Sequence, residues 1–144
     1  HVTLWDTAGA SEYDRLRPLV YPQTTVVLVC FAVNEYSSFE EVTNRWLPEV
    51  ERFSSQSLLM LVGTKSDTRR YSNTSSNKIK ELEYVTREVA ECMAKHQNFT
   101  LYHETSALRG DGVSNREMVE LIAKCGIVKI FQPHKKHNKT CVLS

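Results

Sequence analysis

The chain has 144 residues and a mass of 16.5 kDa, enough for one domain with a buried core and too little for two of ordinary size. Hydrophobic residues make up 41% and charged residues 24%, a composition that excludes both a disordered polyelectrolyte and a membrane-embedded bundle. The formal net charge is +1, but five lysines and no acid follow Glu120, so the first 120 residues carry about −4 and the tail is basic.

Val2–Trp5 alternates apolar and polar side chains and predicts the end of a strand. A polar stretch from Gly9 to Arg17 follows, with Pro18 and Pro22 marking loop or frayed helix. Val26 to Val33 is apolar and β-branched on both faces, the pattern of a strand covered on two sides of a parallel sheet; it is too short to span a bilayer. Phe39, Val42, Trp46, Val50 and Phe53 recur at helical spacing, behind capping boxes at Ser37-x-x-Glu40 and Ser38-x-x-Glu41. Pro48 inside that helix predicts a kink.

Leu58 to Val62 reads as a second buried strand ended by Gly63, and 68–83, rich in Ser, Thr and Asn, as a surface insertion. Val85, Val89, Cys92 and Met93 mark another helix, and Thr100 to His103 a short strand. A last helix has a capping box at Ser114-x-x-Glu117 and an apolar face of Met118, Leu121, Ile122, Cys125 and Val128. From Pro133 onward nothing can pack, and a disordered tail is expected. Strands alternating with helices predict an α/β fold with a mostly parallel sheet. Cys30, Cys92, Cys125 and Cys141 have no C-x-x-C spacing and read as reduced thiols. No basic-then-apolar leader with a cleavage site occurs, so secretion is not expected.

Three short motifs stand at predicted strand ends, where open α/β sheets bind ligands. Asp6-Thr7-Ala8-Gly9 pairs a strand-end carboxylate, able to hold Mg²⁺ directly or through water, with a glycine that lets a backbone N–H approach a phosphate. In Thr64-Lys65-Ser66-Asp67, the aspartate can accept two parallel hydrogen bonds from the N1–H and 2-amino edge of guanine, a pair of donors that adenine lacks. The stem of Lys65 can cover the base. Glu104-Thr105-Ser106-Ala107-Leu108 offers small residues whose backbone N–H groups can reach the guanine carbonyl. Each motif alone is weak; their order and spacing are specific.

With Tyr13-Asp-Arg-Leu-Arg-Pro-Leu19, Tyr21-Pro-Gln23 and Trp46-x-Pro48-Glu-Val50 beside these motifs, the chain resembles a Rho-type small GTPase of the Ras superfamily, from His1 to the last four residues. The resemblance implies the P-loop NTPase-like, three-layer α/β fold with a mostly parallel sheet, truncated at the N-terminus, with residues 1–132 forming a partial GTPase domain, a Rho-type insertion at about 68–83 and a disordered basic tail at 133–144. It implies GTP or GDP and Mg²⁺ as ligands, with Asp6 contacting the metal through water and Gly9 sensing the γ-phosphate. Thr64, Lys65 and Asp67 would grip guanine, supported by Ser106 and Ala107. Switch II would span Ala10 to Leu19, with Tyr13, Asp14, Arg15, Leu16, Arg17, Pro18 and Leu19 read by partners. Exchange factors, activating proteins, dissociation inhibitors and effectors are the implied partners, with actin or polarity signalling as the implied setting.

Two departures qualify the resemblance. Ala10 stands where the family has the glutamine that orients attacking water, so no catalytic side chain is assigned and slow hydrolysis is expected. No G-x-x-x-x-G-K-[ST] occurs in the chain, and its first residue is His1, so an upstream part is expected to be missing. Without it, the strands at Val2–Trp5 and Val26–Val33 would lose a central ladder partner, stability would be poor and nucleotide binding weak. Cys141-Val142-Leu143-Ser144 forms a C-a-a-X box for a prenyltransferase, serine favouring farnesyl. Lys135, Lys136 and Lys139 add attraction to an anionic membrane. The expected product is a prenylated and methylated lipoprotein, a monomer on the cytoplasmic face of the plasma membrane or an endomembrane, with a cytosolic pool and no nucleic-acid partner. The competing expectation is a membrane-anchored interaction protein that keeps partner surfaces without binding nucleotide.

Overall fold

The computed structural model describes residues 2–69 and 84–131. Its sheet has three parallel strands in the order β1–β2–β3: β1 (Val26–Ala32), β2 (Leu58–Thr64) and β3 (Leu101–Glu104). β1 aligns with β2 from Val26 opposite Leu58 to Ala32 opposite Thr64, and β2 with β3 from Met60 opposite Leu101 to Gly63 opposite Glu104. Parallel neighbours require crossovers, and helices supply them. Between β1 and β2 run α1 (Tyr36–Glu41), a π-helical turn (Val42–Trp46) and α2 (Leu47–Ser54); α3 (Arg87–His96) precedes β3, and α4 (Asn115–Phe131) follows it.

Side chains alternate across a strand, so adjacent Met60 and Leu61, both fully buried, show that β2 is covered on both faces. That is the three-layer α/β arrangement expected from the sequence. The core gathers Val29, Phe31 and Val33 around the end of β1, Leu61 from β2, Phe39, Val42 and Leu47 from the first crossover, and Val85, Ala90, Ala94 and Phe99. Phe31 meets Phe39 edge to face, ring centroids 4.9 Å apart.

Several boundaries differ from the sequence reading. Residues 2–9 form no strand and are exposed; a strand needs a ladder, and the edge of β1 away from β2 has no partner among the described residues. An open cleft of about 420 Å³ lies there instead, between residues 3–9 and Val26–Cys30. One face of β1 is correspondingly uncovered: Cys30 is exposed while Val29 and Phe31 are buried. Neither of the first two capping boxes forms. The helix starts earlier, at Tyr36, and the Ser38 hydroxyl is engaged by the end of β1, accepting from the Ala32 N–H at 2.9 Å. Pro48 cannot donate to the helical ladder, and the π-helical turn directly ahead of it is the local consequence.

Gly63 lies inside β2 rather than ending it. A Cβ there would stand 2.8 Å from the Tyr102 hydroxyl oxygen and 3.1 Å from a Val33 methyl, so a bare backbone is what lets β3 and β1 close in. In α3 the buried face is Ala90 and Ala94, while Val89 and Cys92 point outward. The strand at 100–103 is shifted by one residue. Ser114 does cap α4: the Glu117 N–H donates to its hydroxyl at 3.3 Å, and the hydroxyl donates to the Glu117 carboxylate at 2.8 Å. On α4's expected apolar face, Cys125 is buried and Leu121 and Ile122 are half-buried. Most of the expected insertion, 70–83, and the tail from residue 132 lie outside the described residues, as does the C-a-a-X box. No described helix is long and apolar enough to cross a membrane.

Candidate functional site

All three strands run the same way, so the loops after Ala32, Thr64 and Glu104 emerge on one edge of the sheet. Two of these loops carry sequence-predicted residues and are tied together. Thr105 N–H donates to the Gly63 carbonyl at 2.8 Å, and Ser66 N–H donates to the Thr105 carbonyl at 3.0 Å. Thr64 anchors its loop to β1 by donating to the Phe31 carbonyl at 3.0 Å. Lys65 is exposed and adopts φ +58°, a left-handed conformation that costs a lysine energy and is held by the surrounding bonds.

Asp67 is 7% exposed and Ser106 is fully buried, and the Ser106 hydroxyl donates to Asp67 Oδ1 at 2.5 Å. The Ser106 N–H is spent on the Asp111 carbonyl at 2.8 Å, which folds residues 106–112 back on themselves. Gly112, with φ +67°, makes that fold possible: any Cβ would run into the Glu104 carbonyl oxygen. No buried side-chain oxygen among the described residues lacks a partner. Asp67 Oδ2, which has no partner among the described residues, therefore keeps contact with solvent and can accept from a ligand. The result is a carboxylate oriented by a buried serine, beside a small exposed Ala107, with acceptor capacity left for paired donors.

A second network braces this edge and was not foreseen from the sequence. Glu104 Oε1 accepts from Arg69 at 2.7 Å and from the Tyr102 hydroxyl at 2.6 Å, and Arg69 also donates to the Val85 carbonyl at 2.7 and 3.0 Å. Burial and then the Glu104 bond push the Tyr102 phenol well above its ordinary range. Burial is the largest influence on Arg69 and works against its charge, but the hydrogen bonds and charges of Glu104 and Tyr102 together outweigh it and hold the guanidinium above its ordinary range. The charged run Glu104…Arg69 has no sequence spacing that announces a contact.

The phosphate-side residues are placed differently. Asp6 and Gly9 line the cleft beside β1, together with Trp46, and that lining includes none of Thr64–Asp67, Ser106 or Ala107. Among the described residues no group of three or more His, Cys, Asp and Glu side chains could hold a metal ion. Asp6 therefore offers a metal a single carboxylate in this cleft. Residues 10–19 form two short 3₁₀ turns, Ser11–Tyr13 and Arg17–Val20. Tyr13, Leu16 and Leu19 present exposed apolar surface, Asp14 and Arg15 are exposed, Pro18 is half-buried, and Arg17 points inward.

Comparison with known proteins gives concordant results. The Ras family profile matches residues 1–125. The chain is 40% identical over 148 residues to the GTP-binding protein RHO5 of Saccharomyces cerevisiae, a match covering 94% of this chain and 44% of that protein. It is 40% identical over 143 residues to the GTP-binding protein rho4 of Schizosaccharomyces pombe, covering 99% of this chain and 68% of that protein. The chain thus spans less than half the length of the first relative and about two thirds of the second.

Proposed function

The chain belongs to the Ras family as a Rho-type small GTPase, and from that premise we propose that its 64–67 and 104–107 loops select guanine nucleotides for a membrane-tethered signalling switch. The buried Ser106–Asp67 pair at the C-terminal ends of parallel β2 and β3 carries this reading. Asp67 would accept from the N1–H and 2-amino groups, Ala107 would offer its N–H to the guanine carbonyl, and the Lys65 stem would cover the base. GTP, when bound, supplies the γ-phosphate whose presence distinguishes the two states of the switch. Adenine would leave the carboxylate without its donor pair, the kind of mismatch that polar sites reject strongly. The test is competition between guanine and adenine nucleotides for the protein. Guanine should be preferred by roughly a hundredfold or more; equal competition would refute the assignment.

The remaining features refine that reading. Ala10 has neither donor nor acceptor on its side chain, so hydrolysis is slow and the triphosphate state is favoured. The exposed Tyr13, Leu16 and Leu19 form the surface that exchange factors, dissociation inhibitors and effectors read. Cys141 is the prenylation site, and the lysines ahead of it supply the second signal that stable anchoring requires. Cys141→Ser should move the protein from membrane to cytosol on fractionation; unchanged membrane partition would sink the anchor.

A further inference from the structure

Two arginines hold the backbone of residues 8–10 from the helix side. Arg17 has a side chain only 3% exposed, and its guanidinium donates to the carbonyls of Ala8 at 3.2 Å and Ala10 at 3.4 Å. The same group reaches Asp14 at 2.5 Å and Glu49 at 3.2 Å. Arg45 donates to the intervening Gly9 carbonyl at 2.9 Å and to Asp14 at 2.9 Å. Three successive carbonyls are therefore each met by a guanidinium. Both guanidinium groups also lie over the Trp46 ring, 4.8 Å and 4.3 Å from its centroid. Gly9 packs against that ring: a Cβ on it would sit 3.7 Å from two ring atoms.

Each arginine of the cluster has carboxylate partners. Asp14 and Glu49 face the two arginines, Glu41 lies 4.0 Å from Arg45, and the Tyr21 hydroxyl donates to the other oxygen of Glu49 at 2.7 Å. Arg45 and Trp46 are the last two residues of the π-helical turn, a local departure from α-helix that recurs at functional sites. Peptide planes whose oxygens are held by rigid, forked donors have little freedom to rotate.

We propose that Arg45 is a positioning residue: with Arg17 and Trp46 it fixes the Ala8–Ala10 peptides, and so the Gly9 N–H and the path into Tyr13–Leu19. These contacts preset the segment, and partners reading Tyr13, Leu16 and Leu19 find that surface already formed. The functional weight of this device rests on the reading of residues 10–19 as a switch, but its test uses no nucleotide.

Arg15 is exposed within the held segment, and the Arg17 peptide bond is protected from trypsin by Pro18. Native cleavage of the full chain by trypsin after Arg15 therefore reports opening of the segment, and cleavage after exposed Arg87 on α3 reports opening elsewhere. Arg45→Gln should raise the rate after Arg15 about tenfold, leaving the rate after Arg87 and the urea midpoint near wild type. Arg45→Lys, which keeps the charge without the flat fork, should fall between. An unchanged Arg15 rate in Arg45→Gln overturns the proposal. So does a parallel rise after Arg87, or a wild-type Arg15 cut as fast as in urea. Each of these can occur while guanine selectivity is intact, and loss of that selectivity leaves this result standing.

Discussion

Ala10 occupies an extended position, φ −66° and ψ 144°, just ahead of the Ser11–Tyr13 turn, and its carbonyl accepts from both Tyr13 N–H and Arg17. Its backbone is committed to the fold, and its side chain is an exposed methyl group. A longer polar side chain can therefore be placed there without disturbing a buried contact. Ala10→Gln should accelerate GTP hydrolysis by one to a few orders of magnitude in protein loaded with the triphosphate; a single-turnover rate equal to wild type would show that residue 10 does not limit the reaction. At this scale the two loops that Asp67 and Ser106 join were legible, because each residue belongs to a motif at the end of a strand. Arg17 was not. As one residue of a polar stretch it reads as solvated, and only the fold shows that its guanidinium is buried against Trp46 and Glu49.

The elements were readable where one strong pattern decides them, as in β1, β2 and the Ser114 cap. They were misread where tertiary contact decides. Val2–Trp5 has strand composition but no ladder partner among the described residues, and Ala90 and Ala94 are too small to weigh in an apolar pattern although they carry the buried face of α3. Gly63 illustrates the same point inside a strand. It reads as a breaker, yet it is an interior position emptied so that Tyr102, Val33 and Phe31 can approach. Gly63→Ala should cost about 1–3 kcal/mol by urea denaturation, since Tyr102 must shift away from the carboxylate of Glu104. A midpoint equal to wild type would mean that β3 has room to move.

At the scale of the whole molecule, the sheet divides the chemistry. The loops after β2 and β3 are braced by Glu104, Arg69 and the Ser106–Asp67 bond, whereas the β1 edge opens on a cleft walled by residues 3–9, which form no strand. The loops proposed to recognise the base are therefore the better-braced side of the described sheet, and within the 144 residues given no G-x-x-x-x-G-K-[ST] adds a phosphate grip. That asymmetry predicts weak but base-selective binding by the chain alone. The most direct measurement is calorimetric titration of GDP, with ADP in parallel, into the chain and its Asp67→Ala variant. The account predicts GDP binding weaker than micromolar, no comparable heat from ADP, and loss of the GDP signal in the variant. Equal heats from GDP and ADP, or an Asp67→Ala chain that binds GDP as the wild type does, would contradict it.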